Sequence, residues 1–139
     1  MRKYQFLPHM ADVKLKVTAS DFLELLRGAL EGMNALIKKD ACKTNESPRE
    51  VIKKINLPAQ EKSLMLIDFL NEVLTLSQIH HAIFCRPQFK TLKNRTLTIQ
   101  IWGKKVSGFD EDIKAVTYHD LNIIKNKQGL LETLVVFDI

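Results

Sequence analysis

A chain of 139 residues, 45% hydrophobic and 27% charged, has the length and composition of one globular domain, expected over 1–139, and needs neither a disulfide nor a metal to fold. Its net charge of +5 comes from 21 Lys and Arg against 16 Asp and Glu. The lysines are scattered in pairs such as Lys38-Lys39, Lys53-Lys54 and Lys104-Lys105, which excludes a clustered nucleic-acid arm. No apolar run approaches the ~18 residues of a membrane span, and residues 1–6 lack the apolar core of a signal peptide. The two cysteines, Cys42 and Cys85, show no metal-ligand spacing. They read as free thiols in a reducing compartment, and the expected location is the cytoplasm, away from membranes.

In chain order, Val13, Leu15 and Val17 alternate with Lys14, Lys16 and Thr18, the period of a half-buried strand. A helix follows. Ser20 or Asp21 can cap it, Glu24 completes a capping-box pattern with Asp21, and Phe22, Leu25, Leu26, Ala29, Leu30, Met33 and Ile37 form its apolar stripe. Residues 38–50 are polar and read as a loop. Val51 to Leu57 suits a short strand stopped by Pro58. A second helix is expected over 59–76, with Leu66, Ile67, Leu70, Val73 and Leu74 inward, and Asp68, Asn71, Glu72 and Thr75 off that stripe. Ile83 to Phe89 suits an edge or bulged strand because of Pro87. Arg95 to Trp102 alternates. Gly103 and Gly108 bracket a turn, Ile113 to Ile124 is a strand, Asn126 to Gly129 a turn, and Leu130 to Ile139 a last strand. This order predicts a two-layer α+β fold, a mixed β-sheet with two helices packed on one face.

Three places could carry chemistry. His9 and Asp12 are titratable groups three residues apart, placed just before the first strand; an Asx turn explains the pair equally well. In the segment Lys114 to His119, strand alternation puts Lys114, Val116 and Tyr118 on one face, with Ala115, Thr117 and His119 on the other. A solvated lysine and a packing tyrosine are the plain alternative. Finally, the sequence ends on Phe137-Asp138-Ile139, where a free carboxylate on Ile139 beside Asp138 would require neutralisation unless both are simply hydrated. There is no Gly-rich phosphate loop, no G-x-S-x-G and no H-E-x-x-H, and His80-His81 has no third ligand nearby in sequence. Nothing assembles a nucleophile, a base and oxyanion donors.

Four colinear motifs change the picture. They are F-L-P-H-M-A-D-V (residues 6–13), L-I-D-F-L-N-E-V-L (66–74), I-K-A-V-T-Y-H-D-L (113–121) and V-V-F-D-I (135–139). On these the sequence resembles the archease family from end to end. Met10 stands where the family usually has Thr, Lys104 where it usually has Glu, and the segment from Gly103 to Lys114 is short.

The resemblance implies a non-enzymatic, chaperone-like protein that activates an RtcB-type RNA ligase in tRNA splicing and RNA repair. Archeases promote guanylylation and multiple turnover of that ligase, whose own histidine and manganese do the chemistry; tRNA is met only through the ligase. The resemblance also implies a metal ion, calcium or another hard divalent cation, held by Asp12, Asp138 and Ile139. It gives Lys114 the ligase-activating role, with His9, Glu72, Tyr118 and His119 as supporting residues. Calcium takes six to eight oxygens at roughly 2.3–2.6 Å, and Asp12 at a strand start could lie beside Asp138 at a strand end. The basic pI of about 9.3 leaves a small RNA-binding module as the alternative, and His9 with Asp12 leaves a metal-dependent hydrolase.

Overall fold

The computed structural model describes residues 1–7, 12–43, 50–90, 93–117 and 122–139. Within them the order is β1 (Arg2–Leu7), β2 (Asp12–Ala19), α1 (Phe22–Ile37), β3 (Val51–Pro58), α2 (Lys62–His80), β4 (Ala82–Phe84), β5 (Gln88–Phe89), β6 (Thr96–Lys105), β7 (Ala115–Thr117), β8 (Ile124–Lys125) and β9 (Leu131–Asp138).

The fold is α+β, as expected, with a different sheet. In place of one mixed sheet there are two antiparallel ones. The first runs β1-β2-β9-β7 with β8 also on β9; the second runs β3-β6-β4 with β5 also on β6. Helix α1 lies on β1, β2 and β9, α2 lies on β3, β4 and β7, and the helices touch. The connection through α1 carries the chain from β2 to the other sheet, so it creates no parallel neighbour.

In β2 the side chains of Leu15, Val17 and Ala19 are fully buried while Lys14, Lys16 and Thr18 are not, as the alternation predicts. Helix α1 begins where its sequence can satisfy a first-turn donor: the Glu24 N–H donates to Asp21 Oδ1 at 2.9 Å, so Asp21 is the cap. The Glu24 carboxylate does not close a capping box; it pairs with Arg2 at 2.8 Å and Arg27 at 3.3 Å. Gly32 lets α1 press on β2, since a Cβ there would stand 2.4 Å from Leu15 Cδ2.

The second helix starts and ends later than its apolar stripe suggests, at Lys62 and His80. All five stripe residues are buried, and Phe69 joins them. His81 ends the helix in the left-handed region at φ 49°, so the His80-His81 pair has a terminating role. Gly103 is not at a turn. It lies in β6, where a Cβ would come within 2.7 Å of the Phe84 ring, so glycine is what lets Phe84 lie against that strand. β1 was not anticipated, because five of its six residues are exposed; pairing with β2 is what makes it a strand.

The cysteines are not free. Cys42 and Cys85 form a disulfide with Cα atoms 5.5 Å apart. It joins the turn after α1 to the segment between β4 and β5, where Pro87 stands. Spacing does not encode this pairing, and it overturns the reading of Cys42 and Cys85 as free thiols. Among the described residues no helix is long and apolar enough to cross a membrane.

Candidate functional site

The site is built around one end of the first sheet. In the β2–β9 ladder Asp12 stands directly opposite Asp138, and Val13 opposite Phe137. Directly opposed residues share a face, with Cβ atoms about 4.5–5.5 Å apart. Phe137 is fully buried in the core, so the two aspartates lie on the opposite, solvent-facing side. Asp138 is exposed and Asp12 half-buried. The sequence expectation that these two carboxylates are neighbours therefore agrees with the strand register.

The other side of β9 carries β7, with Ala115 opposite Asp138 and Val116 opposite Phe137. One residue earlier, the Lys114 N–H donates to the main-chain oxygen of Asp138 at 2.7 Å. Lys114 thus enters the site through its backbone, and its side chain is exposed. The expected face-sharing of Lys114 with Val116 does not hold. Val116 is buried, whereas Lys114 precedes the strand and is not bound by its alternation.

Helix α2 holds this segment in place. Asn71 Nδ2 donates to the Val116 oxygen at 3.0 Å, and the Val116 N–H donates to Asn71 Oδ1 at 3.0 Å. Farther along, Gln78 Nε2 donates to the Ile113 oxygen at 3.0 Å. Two helix amides therefore bracket Lys114, satisfying main-chain groups that lack a further strand. Sequence reasoning placed Asn71 off the buried stripe without a role; the signal was an amide in mid-helix, a type with modest helix propensity. Glu72, next to Asn71, is exposed on α2. His9, Tyr118 and His119 lie outside the described residues.

Carboxylate and main-chain oxygens are the donors a hard divalent cation takes. Asp12 and Asp138, with the main-chain oxygens of Ile139 next in sequence, fit such an ion as part of its coordination sphere. Among the described residues no cluster of three or more His, Cys, Asp or Glu could hold a metal by itself, so any ion here would need main-chain oxygens or water to complete its sphere.

Known proteins resemble this chain over its whole length. The model of the archease protein family matches residues 4–139. The protein archease of Methanosarcina barkeri is 26% identical over 143 residues, covering 97% of this chain and 95% of that protein. That of Pyrococcus abyssi is 23% identical over 146 residues and covers both chains fully, at 100%. Among solved structures, Methanobacterium thermoautotrophicum protein 1598 superposes with a TM-score of 0.76 at 20% identity, covering 98% of each chain. A Thermotoga maritima protein described as an archease and possible chaperone gives a TM-score of 0.65 at 24% identity, covering 96% of this chain and 94% of its own.

Proposed function

Because the chain belongs to the archease family, we propose that it is a chaperone-like accessory protein that activates an RtcB-type RNA ligase. On this reading it makes and breaks no bond in RNA. It acts in the cytoplasm, promotes guanylylation and repeated turnover of the ligase, and meets tRNA only through that enzyme. The observation that carries the reading is the junction of β2, β9 and β7, where Asp12, Asp138 and the backbone of Lys114 meet.

Asp12, Asp138 and the main-chain oxygens of Ile139 hold calcium or a similar hard cation. The ion would neutralise two facing carboxylates and fix the strand end that Lys114 bonds to. Lys114 then offers a compact flexible cation from a backbone anchored on both sides by α2, close to the anionic nucleotide or phosphates of the ligase.

The test is sealing of cleaved tRNA halves with GTP and manganese, using an RtcB-type ligase with and without this protein. The expected result is multiple turnover only when both proteins are present. Sealing by this protein alone, or a ligase rate that its addition does not change, overturns the reading.

A further inference from the structure

We propose that the open face of the second sheet is a contact surface for single-stranded RNA, centred on Trp102. In β6 the side chains of Leu97, Ile99 and Ile101 are buried in the core. Thr98, Gln100 and Trp102 alternate with them and so occupy the other face. The ladder with β3 sets Ile52 opposite Trp102, Lys54 opposite Gln100 and Asn56 opposite Thr98, and these three β3 residues are exposed. On the far side of β6, Gln88 stands opposite Gln100. The Lys90 N–H donates to the Thr98 oxygen at 2.8 Å, which carries the same register on to Lys90.

Trp102 is half-buried and lies outside the buried core. Among the described residues no aromatic ring or cation stacks on it. Ile52, across the ladder, is 50% exposed. An indole on an open sheet face offers a large apolar plane to a partner.

The register also gathers cations that are scattered in sequence. Lys104, two residues beyond Trp102, is about 7 Å from it along the strand. Lys54 stands on the cross-strand diagonal, at about 7–8 Å, and Lys90 lies farther along. All three lysines are exposed, and none forms an ion pair among the described residues. Against them this face carries one carboxylate among the described residues, Glu50, whose N–H donates to the Gly103 oxygen at the end of the ladder.

A plane on which a base can stack, amides at Gln88 and Gln100 that can meet base edges, and unpaired lysines for phosphates are the parts that a single strand requires. A duplex keeps its bases stacked inside and cannot use the indole. Three cations hold a strand weakly at physiological salt. The face therefore engages RNA that another protein presents, which agrees with RNA reaching this chain through a ligase, but it does not rest on that reading.

Trp102 is the sole tryptophan of the chain, so its emission reports the state of this face. The wild-type protein alone is titrated at low salt with a short oligouridylate, with duplex RNA of the same length and with polyglutamate. The single strand should quench the emission saturably, and the other two should leave it nearly unchanged. For three phosphate contacts the affinity should fall about 100-fold for a tenfold rise in salt, a log–log slope of about −2. Lys54→Gln and Lys104→Gln should each flatten that slope by about 0.7. Trp102→Ala should weaken binding of a labelled strand, followed by anisotropy, about tenfold, and Trp102→Phe should lose less. No saturable quenching by the single strand, or equal quenching by polyglutamate, would overturn the proposal. So would RNA binding with unchanged emission, or an emission that shifts with protein concentration before RNA is added, which marks a second copy on this face. If Trp102→Ala does not fold, the wild-type quenching and the two lysine variants decide. The ligase is absent throughout, so this outcome is independent of the sealing assay.

Discussion

Asn71 bonds Val116 twice, giving to its oxygen and accepting from its N–H, both at 3.0 Å. A helix side chain thereby does for β7 what a neighbouring strand would do. Asn71→Leu removes both bonds and leaves two half-buried main-chain groups unsatisfied, a loss of about 1–3 kcal/mol. Asn71→Asp keeps the acceptor but loses the donor to the Val116 oxygen, and should cost less. Amide exchange at Val116 should accelerate in both. Unchanged exchange there would mean that Asn71 does not hold the strand.

Lys114 is exposed and is held through its backbone. Lys114→Ala should therefore shift stability by no more than about 0.5 kcal/mol while abolishing stimulation of the ligase. Lys114→Arg should restore little, because a planar fork places its charge differently. Ligase turnover measured with all three proteins decides; equal stimulation removes the lysine from the proposed function.

Calcium should raise the melting temperature through the Asp12–Asp138 pair. The gain by mass action is about 2.7 kcal/mol when the ion is at 100 times its dissociation constant. Asp12→Asn and Asp138→Ala should each lose most of that response. Titration calorimetry on the wild type and these variants supplies the check. A full calcium response in Asp138→Ala eliminates the site.

The cross-link between Cys42 and Cys85 closes a loop of 43 residues in sequence separation. On the loop-entropy relation its removal lowers stability by up to about 4 kcal/mol. Urea unfolding of the wild type with and without a strong reductant should show that difference as a lower midpoint. An unchanged midpoint would mean that the bond adds nothing to the folded state.

Gly32 tests the packing of α1 on β2. Gly32→Ala sets a Cβ 2.4 Å from the Leu15 side chain, which is fully buried and cannot swing into solvent. Overpacking of this kind costs about 1–3 kcal/mol. Gly28→Ala meets Val17 at the milder distance of 3.0 Å and should cost less. Thermal melting of the two variants checks the order.

What the sequence disclosed depended on how local the cause was. Helix α1 was legible to within one residue at its start, where Ser20 or Asp21 could cap it and Asp21 does, because the cap and the stripe lie within one short stretch. Strand β1 was not, since Tyr4 and Phe6 are exposed and only its ladder with β2 defines it. Helix α2 shifted because Glu61 at its start makes no side-chain cap bond, so no local signal marks that end. The meeting of Asp12 with Asp138 came from motif resemblance together with strand ends, and depends on a register that no spacing encodes. The pairing of Cys42 with Cys85, and the grip of Asn71 on Val116, are products of tertiary approach alone.

The β2–β9 ladder joins segments more than a hundred residues apart, so forming it closes a very long loop. Contacts of that kind form late and slow folding. Strand ends that zip after the transition state affect unfolding more than folding. An ion seated between Asp12 and Asp138 would therefore leave the folding rate almost unchanged and retard unfolding. Its benefit would be a longer lifetime of the native chain, seen as resistance to proteases that act on transiently opened molecules.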